Sequence, residues 1–405
     1  MLSNFTRIVW ACAAVGLTVT LVSYAFGLVP RSSSAGNSTQ DSPSSPTAVI
    51  AAGETASPSV VQGAASPDVS ASPSSTPIVL ASPTLAATPT APVATLTADQ
   101  LAQYKPNELG QIMVLMYHSI DDSGGDYSTT ADEFRHDLQW LYDHDFYVIP
   151  IHDYVTNSIK APAGKRPVIL TFDDGSVSQF NYIVDSAGNK HIDPNCAIGM
   201  LEDAFTKHPD FGRGGLFSIL PLAPFAWPDA VGQEKFEKEK VQFLLDHGYE
   251  IGDHTVDHID LRTISDDEIK DELGSAVDMM HDFDSRSQME IISVPFGEYP
   301  DHGDTTIFEG FDLNGKHYGF MGALMVGANP SPSPVDSDFD PYWIPRIRGS
   351  RDQIDKWFDF VDQNPGIMYV SDGNPDTITV PNDLAPNLDG KLDQSKLDGK
   401  TLIRY

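Results

Sequence analysis

The pattern of apolar and polar positions predicts a series of short buried strands separated by amphipathic helices. Residues 112–117, 146–151 and 168–172 are apolar, β-branched runs of strand length. Similar strand patterns follow later in the chain, at residues 216–220, 249–252, 291–294, 344–348 and 367–370. Residues 344–348 are expected to form a short edge strand, and residues 367–370 the last strand.

Helix patterns lie between these strands. Thr130 with Glu133, and Ser265 with Glu268, have the spacing of capping boxes that open a helix. Further helices are predicted at 235–247 and 352–361, whereas 176–213 is expected to be an irregular loop with a helix near 201–206. Strands and helices that alternate with short connections predict an α/β fold with a parallel sheet. At least six alternations favour a barrel over an open sheet.

The N-terminal part has a different character. Residues 8–29 are almost continuously apolar, which is about the twenty residues needed to cross a bilayer. A cleaved signal peptide and an uncleaved membrane anchor both fit, but the run exceeds a signal core of about 7–15 residues, which favours the anchor. Residues 31–100 are rich in Ser, Thr, Pro and Ala and are predicted to be a disordered linker.

Three domains are therefore predicted: a signal peptide or anchor at 1–30, the linker at 31–100 and a catalytic domain at 101–405. The chain beyond the first segment is expected to lie outside the cytoplasm, either anchored on the outer face of the membrane or secreted. The polar tail after Asp383 is expected to wrap the surface.

Composition limits the partners. The chain of 405 residues has a formal net charge of −32, which argues against nucleic acid as a partner because phosphates need a basic face. The same charge disfavours electrostatic adhesion to anionic lipid, so membrane contact is expected only through an uncleaved N-terminal segment. With only Cys12 and Cys196, neither an internal disulfide nor a thiolate metal cluster is expected. We expect a monomer.

Two pairs of polar residues follow predicted strands. Asp173 and Asp174 end the strand pattern 168–172, and His254 and His258 follow 249–252. Carboxyl ends of parallel strands are where α/β barrels place catalytic groups. Taken alone, an Asp-Asp-Gly sequence also suits a solvated turn. Two histidines at this interval are also common by chance in proteins that bind no metal through them.

The two pairs together suggest a metal site. Two imidazoles at this interval can reach one ion, and two His with one Asp leave an open position, as in catalytic zinc sites. The second carboxylate then remains as a general base. A zinc protease would need Glu after His254, where this chain has Thr255.

The sequence Thr171-Phe-Asp-Asp-Gly175, followed by His254-Thr-Val-Asp-His258, resembles the first two signature motifs of the polysaccharide deacetylase family. This is the NodB-homology domain, also called carbohydrate esterase family four, and the resemblance covers roughly residues 112–381. It implies a distorted (β/α) barrel of about seven strands. It also implies that Asp173 is the catalytic base and that Asp174, His254 and His258 bind a divalent metal, usually Zn²⁺.

Ser293-Val-Pro-Phe-Gly297 resembles the third motif. The resemblance places Pro295 and Phe296 at the substrate groove and implies that the Phe296 N–H stabilises the oxyanion. The arginine that often precedes this proline is absent. Arg346 resembles an arginine of one subfamily that orients the catalytic aspartate, here Asp173; the alternative is a surface ion pair.

Leu115-Met-Tyr-His118 resembles the opening strand of the subfamily that acts on poly-N-acetylglucosamine. The resemblance implies that Tyr117 contacts substrate and that His118 is the general acid; the alternative for His118 is a hydrogen-bonded core histidine. The usual Leu-His near the C-terminus is absent, because residues 370–372 are Val-Ser-Asp.

The implied function is metal-dependent removal of N-acetyl groups from an extracellular amino-sugar polysaccharide, such as poly-N-acetylglucosamine, peptidoglycan or a chitin-like polymer. A glycosidase is disfavoured because the adjacent Asp173 and Asp174 are poorly suited to flank one bond from opposite faces. The remaining alternative is a catalytically degenerate glycan-binding protein, which the missing Leu-His and arginine favour and the intact Asp and His set opposes. The sequence leaves the polymer and the native metal open.

Overall fold

The computed structural model describes residues 95–228, 230–300, 303–327 and 329–405. The predicted N-terminal segment 1–30 and nearly all of the predicted linker 31–100 lie outside the described residues. The first helix already begins at Ala98, slightly before the predicted domain start at Leu101.

Within the described residues, no helix is both long enough and apolar enough to cross a lipid bilayer.

Strands and helices alternate along the described chain. The strands are β1 (Met113–Tyr117), β2 (Ser119–Ile120), β3 (Ser128–Thr129), β4 (Phe146–Val148), β5 (Arg166–Asp174), β6 (Tyr182–Val184), β7 (Lys190–Ile192), β8 (Leu216–Ile219), β9 (Glu250–Asp253), β10 (Ile291–Ser293), β11 (Phe311–Leu313), β12 (Lys316–Tyr318), β13 (Gly322–Leu324), β14 (Ile347–Arg348), β15 (Thr377–Val380) and β16 (Thr401–Arg404). The α-helices are α1 (Ala98–Tyr104), α2 (Ala131–Asp143), α3 (Ile151–Val155), α4 (Ala197–Lys207), α5 (Glu237–Asp246), α6 (Asp266–Phe283), α7 (Thr306–Glu309) and α8 (Arg351–Gln363).

A curled parallel sheet forms the centre of the domain, in the order β13-β10-β9-β8-β5-β1-β14, and β4 pairs with the start of β5. Residues 344–348 connect its two edges, because Ile344 forms a parallel bridge with Leu324 of β13 while Ile347 pairs with Leu115 of β1. In the part of the chain that the structure describes, these seven strands make a distorted barrel, as predicted. The predicted short edge strand at 344–348 is found as β14 at the end of the sheet order, and the same segment also reaches β13 through the bridge of Ile344.

Side chains of the central strands alternate between two cores. Leu115 and Leu170 pack toward the helices, in a cluster that contains Phe134 of α2. Val114 and Ile169 lie in the other cluster, among residues from several barrel strands. Both faces of β1 and β5 are therefore buried, which explains their continuous apolar runs.

The helix predictions agree well with the structure. Thr130 with Glu133, and Ser265 with Glu268, form reciprocal capping boxes at the starts of α2 and α6. Residues 176–213 contain the hairpin β6–β7 as well as α4, so this part is more regular than predicted.

The C-terminal predictions were partly wrong. Residues 367–370 form no strand; they follow a short 3₁₀ turn and make single bridges to Asn107 and Gln111. Instead, β15 pairs in parallel with β16 at the end of the chain. The alternation in 377–380 and 401–404 is too short to be distinguished from a loop by periodicity.

Glu108 fixes this C-terminal sheet to the barrel. Its carboxylate is buried and accepts hydrogen bonds from the Thr379 N–H at 2.7 Å and from the Tyr369 hydroxyl at 3.1 Å. Asp372 is also buried nearby and accepts hydroxyl hydrogen bonds from Thr377 and Thr379. Burial, with the adjacent charge of Asp372, raises the pKa of Glu108 to about 8.

This raised pKa predicts a loss of stability as pH rises. The folded state keeps a proton on Glu108 up to about pH 8, whereas the unfolded chain releases it near its ordinary pKa of 4.5. The proton on Glu108 therefore makes its full contribution to the free energy of unfolding below pH 4.5, and this contribution is lost as the pH rises toward 8. We expect the free energy of unfolding of Glu108→Gln to depend less on pH across this window. Urea denaturation of both proteins, followed by circular dichroism, tests this; parallel pH dependences would contradict it.

Candidate active site

The carboxyl ends of three barrel strands bring candidate catalytic residues to one cavity. Asp173 and Asp174 end β5, His118 directly follows β1, and His254 directly follows β9. The cavity has a volume of about 260 Å³ and is lined by His118, Tyr127, Asp173, Asp174, His254, His258, Val294, Phe296 and Val326. The structure therefore brings together most of the residues that the sequence motifs single out.

Asp173 forms a buried ion pair with Arg346 at the floor of this cavity. The two guanidinium nitrogens Nη1 and Nη2 each donate to one Asp173 oxygen at 2.7 Å, and neither side chain is more than 1% exposed. Burial alone would raise the pKa of Asp173, but the charge of Arg346 outweighs it and holds the pKa well below its ordinary value. Asp173 is therefore ionised. The alternative of a surface ion pair for Arg346 is wrong.

Asp174, His254 and His258 form a compact set of candidate metal ligands. Their ligand atoms all lie within 4.8 Å of one another. The Asp174 Oδ1 atom lies 3.2 Å from the Nε2 atom of His254 and 3.6 Å from that of His258. Asp174 has a left-handed backbone with φ of 80°, so its carboxylate can point away from that of Asp173. This combination of two imidazoles and one carboxylate is the donor set of a catalytic zinc-type site.

The tautomer of His254 shows that these residues fit a cation. Its Nδ1 atom lies 2.6 Å from the carbonyl oxygen of Ser293, an acceptor, so Nδ1 carries the proton. Nε2 is buried and has no hydrogen-bond partner among the described residues, although the Asp174 carboxylate lies 3.2 Å away. Two facing lone pairs repel, so this contact is stabilised either by a metal ion or by a proton on Nε2. The proton is favoured because, against the effect of burial, Asp174 and Asp173 raise the pKa of His254. A metal ion would give the same stabilisation with the neutral imidazole that ligation requires.

His258 is held in position by its loop. Thr255 and His258 both have left-handed backbones, with φ of 63° and 51°. One carboxylate oxygen of Glu272, on α6, accepts the N–H groups of Val256 and Asp257 at 3.0 Å each. Burial, together with neighbouring His254, lowers the pKa of His258 to about 4, so the ring is neutral and able to bind a metal at neutral pH.

His118 faces Asp173 across the cavity. Its Nε2 atom lies 3.8 Å from the Asp173 Oδ2 atom, and its side chain is 13% exposed. Nδ1 has no hydrogen-bond partner in the described part of the chain, so the alternative of a hydrogen-bonded core histidine is wrong. Burial lowers the pKa of His118, against the effect of the nearby carboxylates.

The third motif forms one wall of the cavity. Phe296 is 57% exposed, has a left-handed backbone with φ of 59°, and places its ring centroid 4.5 Å from that of His258. Pro295 is buried beneath it and does not line the cavity. The roles predicted for the Phe296 N–H and for Pro295 stay predictions.

Tyr117 requires a correction, because its side chain does not reach the cavity. It shares a strand face with Leu115 and packs against Phe134 and Phe172, only 1% exposed. Its hydroxyl donates to the buried carboxylate of Asp137 on α2 at 3.1 Å. The period of two along β1 could have shown this, because Tyr117 lies two residues after Leu115.

Three residues of the site were missed by sequence reasoning. Thr171 and Ser293 each place a hydroxyl 3.2 Å from the Arg346 Nη1 atom. Tyr127 lines the cavity from the loop between β2 and β3. Strand alternation could have revealed Thr171, since it lies two residues before Asp173, whereas the contacts of Ser293 and Tyr127 depend on barrel closure and a loop conformation.

The position of Tyr117 predicts a structural effect. Tyr117→Phe should lower the free energy of unfolding by about 1–2 kcal/mol, because the buried Asp137 carboxylate loses a hydrogen-bond donor. Metal affinity should stay the same, because the cavity is untouched. Urea denaturation and zinc titration measure the two effects. An unchanged stability with a weakened zinc affinity would contradict the correction.

The ligand set predicts one bound divalent ion per chain. His254→Ala should weaken zinc binding by more than the roughly 10–100-fold typical of losing a hydrogen-bond partner of a metal ligand. His317→Ala is a matched control, because the His317 side chain is 72% exposed and does not line the cavity. Calorimetric titration after treatment with a chelator measures both affinities. Equal affinities for the two variants would exclude this site.

Comparisons with known proteins relate part of this chain to one family. A sequence model of the family described as polysaccharide deacetylase matches residues 160–306. The Bacillus subtilis (strain 168) protein YxkH, provisionally named a polysaccharide deacetylase, is 24% identical over 208 residues, which are 50% of this chain and 62% of YxkH. This chain thus spans less than two thirds of that relative.

Solved structures of low sequence identity are also similar. The Streptococcus pyogenes deacetylase PplD, in complex with acetate, is 18% identical with a TM-score of 0.44, covering 61% of this chain and 97% of PplD. IcaB from Ammonifex degensii is 16% identical with a TM-score of 0.46, covering 62% of this chain and 97% of IcaB. This chain therefore contains a polysaccharide deacetylase domain, matched over residues 160–306.

Proposed function

We propose that this domain is a metal-dependent de-N-acetylase of an extracellular amino-sugar polysaccharide. The observation that carries the proposal is the position of an ionised, arginine-paired aspartate directly beside an Asp-His-His ligand set. A general base and a metal site in one cavity are the two components of metal-assisted amide hydrolysis. The match of residues 160–306 to the polysaccharide deacetylase family supports the same chemistry.

Asp174, His254 and His258 would hold the metal, with zinc as the expected ion. When bound, a divalent metal supplies Lewis acidity, which polarises the acetyl carbonyl and acidifies water. Asp173 accepts the proton of the attacking water. Arg346 keeps the Asp173 carboxylate ionised and holds both of its oxygens in one orientation.

His118 is proposed to protonate the leaving amine. Its Nε2 atom is 3.8 Å from the Asp173 carboxylate, and this distance must shorten to that of a hydrogen bond before a proton taken up by Asp173 can pass to the imidazole. The lowered pKa of His118 makes its protonated form a strong acid, which releases that proton readily to the amine. The amide C–N bond is broken, the hydroxyl group of water is added to the acetyl carbon, and the proton of water is transferred to the amine. Asp173 and His118 then return to their starting protonation states.

The cavity walls suit an acetyl group. Val294, Val326 and the ring of Phe296 provide apolar surface on the side of the candidate ligands. The methyl group of an acetamide can be buried there, while its carbonyl faces the polar residues. The N–H of Phe296 is proposed to stabilise the developing oxyanion.

The proposed substrate is an N-acetylglucosamine polymer such as poly-N-acetylglucosamine, peptidoglycan or a chitin-like chain. The net charge of −32 is compatible with the cationic glucosamine that the reaction would produce. The apolar run at residues 8–29 supports an extracytoplasmic location, on the outer face of the membrane or secreted.

Acetate release from N-acetylglucosamine oligomers tests the proposal. The zinc-loaded protein should release acetate, and treatment with a chelator should abolish the activity. Asp173→Asn should lower kcat by about 10²–10⁴-fold, because it removes the general base. The amide oxygen of Asn can still accept one hydrogen bond from Arg346, and thermal denaturation checks that the variant is folded.

A matched control separates the loss of the base from the loss of a buried ion pair. Asp137 is also fully buried and accepts a hydrogen bond from an arginine, Arg351, at 2.8 Å, but it lies outside the cavity. Asp137→Asn should lower stability and keep kcat within a few-fold. Zinc binding without acetate release from any oligomer would point to a different substrate, whereas the absence of both would favour the glycan-binding alternative.

A further inference from the structure

Two exposed aromatic rings flank the candidate active site. Within the described residues, Tyr127 and Phe296 are the only aromatic side chains among the large apolar groups that are clearly exposed, at 48% and 57%. Both line the same cavity. Exposing aromatic surface is unfavourable in water, so its restriction to this cavity indicates a binding role.

The two rings contact different histidines. The Phe296 ring contacts His258, whereas the Tyr127 ring centroid lies 4.7 Å from that of His118, at an interplanar angle of 62°. Phe296 is thus beside a candidate metal ligand and Tyr127 beside the candidate acid. Tyr127 therefore lies on the side where the leaving amine, and with it the sugar, must be.

The loop that carries Tyr127 is held at both of its ends. The Ser128 hydroxyl donates to the carboxylate of Asp121 at 2.8 Å, and the backbone carbonyl of Tyr127 accepts the Ser119 N–H at 3.2 Å. These contacts fix the backbone beside the ring, so a ligand would meet a ring that is already oriented. Less conformational entropy is then lost on binding.

Arg348 of β14 lies beside this ring and is paired with a carboxylate. Its guanidinium carbon lies 5.9 Å from the Tyr127 ring centroid, and its Nη1 atom donates to Asp126 at 2.7 Å. The Nε atom of Arg348 is buried without a hydrogen-bond partner in the described residues. An aromatic face beside an arginine and a carboxylate matches a sugar ring, which has an apolar C–H face and hydroxyl groups around its edge.

We propose that Tyr127, supported by Arg348 and Asp126, forms a subsite for the sugar unit next to the one that is deacetylated. The ligand class is a neutral pyranose of an N-acetylated polysaccharide, stacked on the tyrosine ring. The inference rests on the proposed function and extends it, because it makes the protein selective for polymers over the monosaccharide. A role of Tyr127 in shielding His118 alone would give no dependence on chain length.

Binding and turnover of N-acetylglucosamine oligomers of increasing length test this subsite in the zinc-loaded protein. For Tyr127→Ala, the ratio of kcat/KM for the tetramer to that for the monomer should fall about tenfold, corresponding to about 1.4 kcal/mol. Tyr127→Phe should keep the ratio, because the ring remains. Met321→Ala is a control, since Met321 is an exposed apolar residue outside the cavity.

Tetramer binding is measured separately, by calorimetry with zinc-loaded Asp173→Asn, so that the ligand is not consumed. Adding Tyr127→Ala to this variant should raise the Kd for the tetramer about tenfold. That increase supports the subsite even if no acetate is released, in which case only the proposed reaction fails. Equal losses for monomer and tetramer, an unchanged tetramer Kd, or no tetramer binding at all would overturn the subsite.

Discussion

The buried ion pair between Asp173 and Arg346 is the interaction on which both the barrel and the site depend. Arg346 also donates to the carbonyl of Met325 and contacts the hydroxyls of Thr171 and Ser293. Each of its three guanidinium nitrogens thus has at least one hydrogen-bond partner, which a buried ion needs to offset the loss of hydration. Because these partners come from β5, β10 and the segment after β13, the guanidinium links the strands around the ring and fixes the catalytic carboxylate.

Strand alternation explains how one short sequence supplies both core and chemistry. Ile169 packs against the other strands of the barrel, and Thr171 and Asp173 follow it at the period of two that keeps side chains on one face of β5. Leu170 and Phe172 pack against the helices instead. Asp174 then leaves this regular pattern through its left-handed backbone, which separates the candidate ligand from the candidate base.

Sequence patterns therefore predict the parts of the site that lie within continuous segments. The adjacent Asp173 and Asp174, and the histidines at 254 and 258, can be recognised because local spacing fixes their geometry. The closing role of residues 344–348 could not be predicted, because a short strand gives the same pattern at an edge or in a closed ring. The prediction that Tyr117 contacts substrate was wrong because it relied on the resemblance of a motif. It did not take into account which face of β1 the side chain lies on. Contacts such as Arg348 with Tyr127 join distant segments, and spacing along the chain contains no information about them.

The closing strand also changes what counts as the smallest functional unit. The family match ends at residue 306, and that region already contains Asp173, Asp174 and both histidines. Arg346 and the segment that joins β13 to β1 lie beyond it. A fragment cut at the end of the match would retain every candidate metal ligand, yet its barrel would be open and its base would be a buried carboxylate without a counter-ion. The last segment of the barrel supplies the arginine that neutralises the buried carboxylate at its centre. The functional domain therefore extends beyond the residues that the family model matches.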